Sequence, residues 1–172
     1  SLKSLENCIN GDLANNFGNL CQRVFSFIKN YCNYEVIKTK KISNEDEKIL
    51  SQTRILTKDL RNFMDNQNLN DYIKSVINIS FLTNKYINDE EPWKLKENNV
   101  ERMNNILHIS LQQIAKISIL LNPIIPISTT KIMNSLNIQN QLRNLSFLDG
   151  EEIFSEKISI KDLEILFKKT AS

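Results

Sequence analysis

Hydrophobic residues recur every three or four positions along most of the chain, which is the spacing of one face of an α-helix. The clearest example begins after Asp12, whose carboxylate can cap a first helical turn. Its apolar positions follow steps of four and three and are Leu13, Phe17, Leu20, Val24, Phe27 and Tyr31. This narrow stripe predicts a helix that buries one face and leaves the opposite face to solvent.

The same spacing predicts a second and a third helix. The second runs over residues 43–63 and starts at Ser43, whose hydroxyl can cap a first turn rich in acidic residues. The third begins near Asn70, places Phe81 among its inward residues, and fades toward the break at Pro92.

Three further segments complete the helical prediction. A fourth helix runs from about residue 99 to residue 121, and a short fifth helix covers residues 128–136. The pattern then weakens until SIKDLEILFKK (159–169), which predicts a terminal helix with a Ser-x-x-Asp cap and lysines at its C-terminal end.

These elements predict an all-α fold, an antiparallel helix bundle of about five helices plus a C-terminal helix. Only three glycines and three prolines punctuate the chain, so long helices are permitted nearly everywhere. No stretch alternates polar and apolar residues in the way of a half-buried strand. At 172 residues we expect one domain, 1–172, with its core bundle in 11–137 and a connecting segment and C-terminal helix in 138–172.

Composition and charge narrow the function classes. No apolar run approaches the roughly 18 residues of a membrane span, and the N-terminal residues do not resemble a secretory signal, so we expect no membrane contact. The three cysteines, Cys8, Cys21 and Cys32, form no paired motif, which favours a cytoplasmic location. A net charge of +2 is too small for broad capture of a polyanion, so nucleic-acid binding would have to depend on local contacts.

The residues required for several kinds of catalysis are missing. With one histidine, His108, the chain cannot build a two-histidine metal site, and no GxSxG motif supports a Ser/His/Asp triad. Neither GxxxxGK(S/T) nor GxGxxG is present, so no phosphate-binding loop is predicted. The acidic run NDEEP (88–92) lacks the ligand spacing of a calcium loop, and a solvated loop is the simpler interpretation. We therefore predict no catalytic site, no cofactor and no metal in this chain.

Two groups of residues suit a binding site. Asn19 and Arg23 are four residues apart on the first helix and flank the same side of its apolar stripe, so both can reach one ligand. Arginine offers a planar fork of donors and asparagine a donor and an acceptor, which suits the edge of a nucleobase. Trp93, the only tryptophan, follows Pro92 and could offer a flat surface for base stacking. From spacing alone, a solvated helix flank and an indole that caps the end of the bundle are the commoner outcomes.

Three segments resemble, in order, spacing and helical setting, the signatures of the helical anticodon-binding domain of bacterial methionyl-tRNA synthetases. They are INGDLANNFGNLCQRVFSFI (9–28), NKYINDEEPWKL (84–95) and LLNPIIPISTTKIMNSL (120–136), and together they extend across residues 8–137. Related class I synthetases for other apolar amino acids share a similar bundle. The combination of Gly18-Asn19-Leu20-x-x-Arg23 with Pro92-Trp93 is more specific to the methionine enzyme.

The resemblance implies roles for these residues. In that family the Asn and Arg of the GNLxxR segment and the Trp of the PW segment converge on the CAU anticodon, with the Trp stacked on its first base. Carried over, Asn19, Arg23 and Trp93 would bind the anticodon loop of tRNA(Met). The implied parent protein is an ATP-dependent methionine–tRNA ligase, whose catalytic domain would be the second partner of this chain.

The chain lacks the HIGH-like and KMSKS-like motifs of that catalytic domain, and it lacks an initiator methionine. We therefore expect an excised segment that is inactive alone, with ATP and Mg²⁺ belonging to the missing catalytic domain. EIFSEKI (152–158) also departs from the LFPRI-like sequence usual at that place in the family.

Two alternatives remain open from the sequence. A helical protein-interaction module could use Trp93 as a hot spot in the groove of a partner protein. The equivalent domain of a related class I synthetase would prefer an anticodon loop other than CAU.

Overall fold

The computed structural model describes residue 11 and residues 13–65, 68–144 and 153–164, with only the backbone described at 13, 14 and 61–65. Within these ranges the α-helices are α1 (Asn19–Cys32), α2 (Asn44–Asp65), α3 (Leu69–Glu90), α4 (Val100–Leu121) and α5 (Pro126–Ser135). A π-helical segment covers Leu13–Gly18, and 3₁₀ turns cover Pro92–Leu95 and Asn140–Leu142. Two short strands, β1 (Glu35–Ile37) and β2 (Lys157–Ser159), complete the described part.

All five predicted bundle helices are present, which confirms the all-α class. Side chains cap the first turns of three of these helices. The capping residues are Ser and Asn, which are preferred at that position. At α2, Ser43 Oγ accepts a hydrogen bond from the Asp46 N–H at 3.2 Å, and the Asp46 carboxylate accepts one from the Ser43 N–H at 3.1 Å. Asn68 Oδ1 caps α3 and Asn99 Oδ1 caps α4 in the same way.

The first helix differs from the prediction at its start. The predicted cap, Asp12, lies outside the described residues, and residues 13–18 are π-helical before regular α-helix begins at Asn19. The Asn16 side chain fixes this segment to α3, because its Oδ1 accepts hydrogen bonds from the Ser80 hydroxyl and from Asn84 Nδ2. The segment therefore sets the position of α1 against α3.

Helix α4 is the centre of the bundle. From Asn105 to Leu121 every residue except Lys116 is buried, and α4 packs against α1, α2, α3 and α5. Because water is excluded on all sides, its polar side chains need partners inside the protein. Gln113 Nε2 donates to the hydroxyl oxygens of Thr53 on α2, at 2.6 Å, and of Thr83 on α3, at 3.4 Å.

A buried carboxylate joins α2, α3 and α4 near the end of α3. Asp46 is 0% exposed, and its oxygens accept two hydrogen bonds from the Arg102 guanidinium at 2.6 and 2.8 Å. The Tyr86 hydroxyl donates to the same carboxylate at 2.6 Å. Arg102 also pairs at 3.3 Å with Glu90, the last residue of α3. Burial alone would raise the pKa of the Asp46 carboxyl, but hydrogen bonds from its donors more than offset this and hold the pKa below its ordinary value.

Two side chains predicted to face inward are exposed. Phe81 is 55% exposed and Tyr31 is 56% exposed. On α3 the neighbouring Ser80 faces inward. Because successive side chains on a helix point about 100° apart, Phe81 is turned toward solvent. Tyr31 lies at the last turn of α1, where the apolar stripe passes beyond the core.

The structure also contains two short strands in a chain whose sequence shows no convincing strand pattern. β1 and β2 pair antiparallel, with Glu35 opposite Ser159, Val36 opposite Ile158 and Ile37 opposite Lys157. Three-residue strands are too short to show an alternating pattern over several residues, so periodicity could not identify them. Val36 and Ile158 are buried at the middle of the pair, while the residues beside them face outward.

The terminal helix predicted from Ser159 does not begin there. Ser159 belongs to β2, and residues 160–164 have no regular secondary structure. Backbone hydrogen bonds to the bundle explain the difference, since Ile160 N–H donates to the Tyr34 carbonyl and Lys161 N–H to the Ser135 carbonyl. The rest of that prediction, residues 165–172, lies outside the described residues.

Side chains of α4 receive the segment that precedes β2. His108 Nε2 lies 2.9 Å from the Ser155 carbonyl oxygen, and because a carbonyl only accepts, Nε2 carries the proton. Gln112 Oε1 accepts a hydrogen bond from the Ile153 N–H at 3.1 Å. His108 and Gln112 thus hold residues 153–155 on the bundle.

No helix within the described ranges is both long enough and apolar enough to cross a membrane. Cys21 and Cys32 are free thiols, and burial raises the pKa of both, that of Cys32 to about 11.

We predict that Asp46→Ala lowers the free energy of unfolding at pH 7 by about 1–3 kcal/mol, because the buried Tyr86 hydroxyl loses its acceptor and Arg102 keeps only Glu90 as an ion-pair partner. Because the Asp46 pKa is lower in the folded chain than in the unfolded chain, its contribution is complete above about pH 4 and is lost as the pH falls through the folded-state value. Urea unfolding followed by circular dichroism at pH 7 and at pH 3 measures both effects.

Glu45→Ala is the matched control, since it removes an exposed carboxylate from the same helical turn and should change stability by less than about 0.5 kcal/mol. Equal losses for the two variants would contradict this role of Asp46.

Candidate nucleic-acid interface

The flank of α1 that carries Asn19 and Arg23 begins where the π-helical segment ends. The two side chains are one helical turn apart on the same face, as their spacing predicts. Asn19 is exposed, and its Nδ2 donates to the Asn15 carbonyl at 2.7 Å. Its amide oxygen remains available to a ligand, because no other hydrogen bond of this side chain forms within the described ranges.

The turn that carries Trp93 is shaped by the two residues before it. Glu91 has φ 50° and ψ 60°, a left-handed conformation, and its N–H donates to the Ile87 carbonyl at 3.0 Å to end α3. A non-glycine residue in this region costs about 1–2 kcal/mol. Pro92 is buried and starts the 3₁₀ turn, and a Glu91–Lys94 ion pair of 3.0 Å closes it. The indole of Trp93 is therefore held at a fixed place beside the end of α3.

Arg23 and Trp93 meet in the structure. The guanidinium carbon lies 5.1 Å from the centre of the indole ring, within the range of a cation–π contact. Arg23 Nη2 also donates to Asn88 Oδ1 on α3 at 2.7 Å. A guanidinium carries five N–H donors, so the rest of the fork is left for a ligand.

The position of the Trp93 indole agrees in part with both interpretations that the sequence left open, a cap on the bundle and a surface for stacking. Trp93 is half-buried and packs partly against the hydrophobic core, as a cap on the bundle would, while part of its surface remains accessible. Asn19 is the outlying member of the predicted set, because its amide donates back to the Asn15 carbonyl and, within the described ranges, forms no hydrogen bond with Arg23 or Trp93. The structure thus joins two of the three predicted residues directly and places the third one turn away.

Asn88 was missed by the sequence prediction. Together with Ser80 and Asn84 it forms a row at intervals of four on α3, and the row faces Asn16 and Arg23. This spacing is the signal that could have identified it. In a chain so rich in asparagine the signal is weak, because polar residues four apart are frequent on any solvated helix face.

The acidic run beside the site is neutralised by neighbouring cations. Asp89 pairs with Lys85 at 2.6 Å, Glu90 with Arg102 at 3.3 Å, and Glu91 with Lys94 at 3.0 Å. The solvated loop predicted for NDEEP is corrected, since Asn88, Asp89 and Glu90 belong to α3. The ion pairs reduce the repulsion that three carboxylates would otherwise exert on an anionic ligand.

Arg23 is different from those cations because no carboxylate pairs with it in the described part of the chain. Burial lowers the pKa of its guanidinium, although arginine stays protonated in proteins. A second cation lies over a ring close by, where Lys96 Nζ is 4.0 Å from the centre of the Tyr31 ring. Tyr31 in turn packs against Phe27, with ring centres 5.0 Å apart.

Within the described ranges, no group of three or more His, Cys, Asp or Glu residues could hold a metal ion. What the arrangement offers is a flat aromatic surface, a donor fork and an exposed amide along one edge of the bundle. These are the groups by which proteins hold unpaired nucleotides.

The fold of this chain is similar to part of a solved structure. Over 100% of this chain and 35% of the other, the fold matches the crystal structure of the apo form of Mycobacterium tuberculosis methionyl-tRNA synthetase, with a TM-score of 0.88 and 22% sequence identity. The fold is therefore that of a helical domain found in an aminoacyl-tRNA synthetase.

Sequence comparison defines the family. The model of the anticodon binding domain of methionyl tRNA ligase matches residues 36–171, a range that includes Trp93 and begins after Asn19 and Arg23. The methionine–tRNA ligase of Sulfurisphaera tokodaii is 30% identical over 163 residues, and that of Fusobacterium nucleatum is 29% identical over 173 residues. The chain belongs to the family of anticodon-binding domains of methionyl-tRNA ligases.

The alignments also show how much of those relatives the chain represents. They include 94% and 98% of this chain, but only 28% and 27% of the two ligases. The chain therefore spans less than a third of the length of these relatives.

We predict that Arg23→Ala exposes the indole to small quenchers. Because Trp93 is the only tryptophan, acrylamide quenching of the intrinsic fluorescence reports this ring alone. Quenching should increase, and the free energy of unfolding should fall by about 0.5–1 kcal/mol through loss of the cation–π contact.

Lys94→Ala is the control, since it removes an exposed cation from the residue next to Trp93 that does not lie over the ring. Equal quenching in the parent chain and Arg23→Ala would show that the guanidinium does not cover the ring in solution.

Proposed function

We propose that this chain recognises the CAU anticodon of tRNA(Met) as part of a methionine–tRNA ligase. The observation that carries the proposal is the contact between the Arg23 guanidinium and the Trp93 ring at the edge of the bundle. The family to which the chain belongs supports the same function. Aminoacylation, with its ATP and Mg²⁺, is assigned to the catalytic part of such an enzyme, which is the second partner we propose.

Recognition needs no chemistry beyond stacking and hydrogen bonding. An anticodon loop can turn its bases outward, and a protein reads such bases by an aromatic surface and by donors and acceptors at their edges. In this proposal the first anticodon base stacks on Trp93, while Arg23 and Asn19 bind base edges. Asn88 holds the guanidinium from the side of α3, so that its remaining N–H groups point along the interface.

The geometry requires one adjustment on binding. A base stacks at about 3.4 Å from a ring, and the 5.1 Å between the guanidinium carbon and the indole centre leaves no room for a base between them. A base that uses this face of the indole must therefore displace Arg23 sideways, a rotamer change of the kind that is common at interfaces. The displaced fork then lies at the edge of the base, where it can donate hydrogen bonds.

We predict that Trp93→Leu weakens binding of a stem-loop RNA with a CAU loop by roughly 5- to 150-fold, which corresponds to the ~1–3 kcal/mol of one base stack. Trp93→Phe is the matched control, because it keeps an aromatic face and should retain most of the affinity. Fluorescence anisotropy of labelled RNA at fixed salt measures both. Equal affinities of Trp93→Leu and the parent chain would refute the stacking role.

We predict that Arg23→Lys lowers discrimination against a loop whose first anticodon base is changed, although the charge is kept. Lysine cannot present a planar fork to a base edge, so the loss should fall on selectivity by about 1–3 kcal/mol. The ratio of affinities for the CAU loop and the altered loop is the measurement. An unchanged ratio would show that charge alone, and not edge recognition, is what Arg23 contributes.

The same titrations separate RNA recognition from the alternatives. Binding to RNA weakens steeply as salt rises, because phosphate contacts release counterions. A domain of a related synthetase would prefer a loop other than CAU, and a protein-interaction module would bind none of the loops.

A further inference from the structure

A second contact between a cation and a ring lies on the same edge of the bundle. Lys96 Nζ sits 4.0 Å from the centre of the Tyr31 ring, and Tyr31 is 56% exposed. Both contacts join α1 to the turn after α3, but the cation comes from α1 in one contact and from beyond the turn in the other. In one, Arg23 of α1 covers Trp93 of the turn, and in the other, Lys96 after the turn covers Tyr31 of α1.

The charge of Lys96 is not balanced by a carboxylate in the part of the chain that the structure describes. Its neighbour Lys94 pairs with Glu91 at 3.0 Å, and Lys85 pairs with Asp89 at 2.6 Å. Within the described residues the Lys96 ammonium lies over the face of the Tyr31 ring, which favours this position without neutralising the charge. A cation that is positioned and unpaired is suited to an anionic ligand.

The spacing along α1 relates the two contacts. Tyr31 follows Arg23 by eight residues, or about 12 Å at 1.5 Å per residue, and Phe27 lies halfway between them. A strand stacked at about 3.4 Å per nucleotide covers this distance in three to four steps. A triplet that starts at Trp93 and follows α1 would therefore bring a neighbouring nucleotide to Tyr31 and Lys96.

We propose that Lys96, positioned over Tyr31, binds a backbone phosphate of a nucleotide that flanks the anticodon triplet. The inference builds on the proposed function, because it requires an RNA loop at Arg23 and Trp93. An ammonium group offers three donors and a compact charge, which matches a phosphate oxygen and carries no sequence information. Lys96 would thus fix the register of the loop, while Arg23 and Trp93 identify its bases.

The test compares Lys96→Met with Lys94→Met, which removes the same charge two residues earlier in the chain. We expect Lys96→Met to lower the slope of log K against log salt by about 0.7, the value for one phosphate contact to a single strand. Lys94→Met should change the slope by less than half as much. The stem-loop RNAs are those with CAU and altered loops, titrated by anisotropy between 50 and 200 mM KCl.

The selectivity of Lys96→Met separates this inference from the proposed function. Affinity should fall equally for the CAU loop and the altered loop, because a phosphate contact does not distinguish bases. Equal slopes for Lys96→Met and Lys94→Met, in a chain where Trp93→Leu still weakens binding, would overturn the Lys96 site alone. If Trp93→Leu has no effect, the proposed function fails and the location beside the anticodon fails with it.

Tyr31 is the positioning residue in this proposal, and its variants give a second readout. Tyr31→Leu removes the ring beneath the ammonium and should lower the salt slope in the same direction, whereas Tyr31→Phe keeps the ring and should match the parent chain. Tyr31→Leu combined with Lys96→Met should bind no more weakly than Lys96→Met alone, because both act through one contact. Additive losses would overturn the assignment of Tyr31.

Discussion

One buried carboxylate positions the candidate interface. Asp46 is withdrawn from water at the start of α2, and its charge is acceptable there only because Arg102 and Tyr86 donate hydrogen bonds to it. Arg102 also holds Glu90 at the last residue of α3, so the network reaches the place where the chain leaves the helix toward Trp93. The site contains none of these groups, yet its position depends on them.

The interface itself is built where α1 passes the end of α3. Side chains of α1 contact side chains of the turn that follows α3: Arg23 contacts Trp93, and Tyr31 contacts Lys96. Asp89, Glu90 and Glu91 each pair with a cation other than Arg23 and Lys96. In the described residues no carboxylate pairs with Arg23 or Lys96. A nearly neutral chain can in this way keep a local site for an anionic strand.

The bundle could be predicted from the sequence because helical periodicity and capping are local signals, as at Ser43 and Asn99. Asn19, Arg23 and Trp93 stood out through spacing, residue type and the resemblance to a family. Asn88 and Lys96 did not, because their contacts depend on how α1 lies against α3 and on the turn geometry at Glu91. The same holds for β2, where pairing with a distant strand overrides the helix-like pattern after Ser159.

The small sheet affects the order in which the chain assembles. β1 and β2 are about 120 residues apart in sequence, and three paired residues are too few to be stable alone. The pair can therefore form only once the helices provide a buried place for Val36 and Ile158. It should be among the last elements to join during folding and among the first to open in the native state, as a local fluctuation that leaves the helices intact.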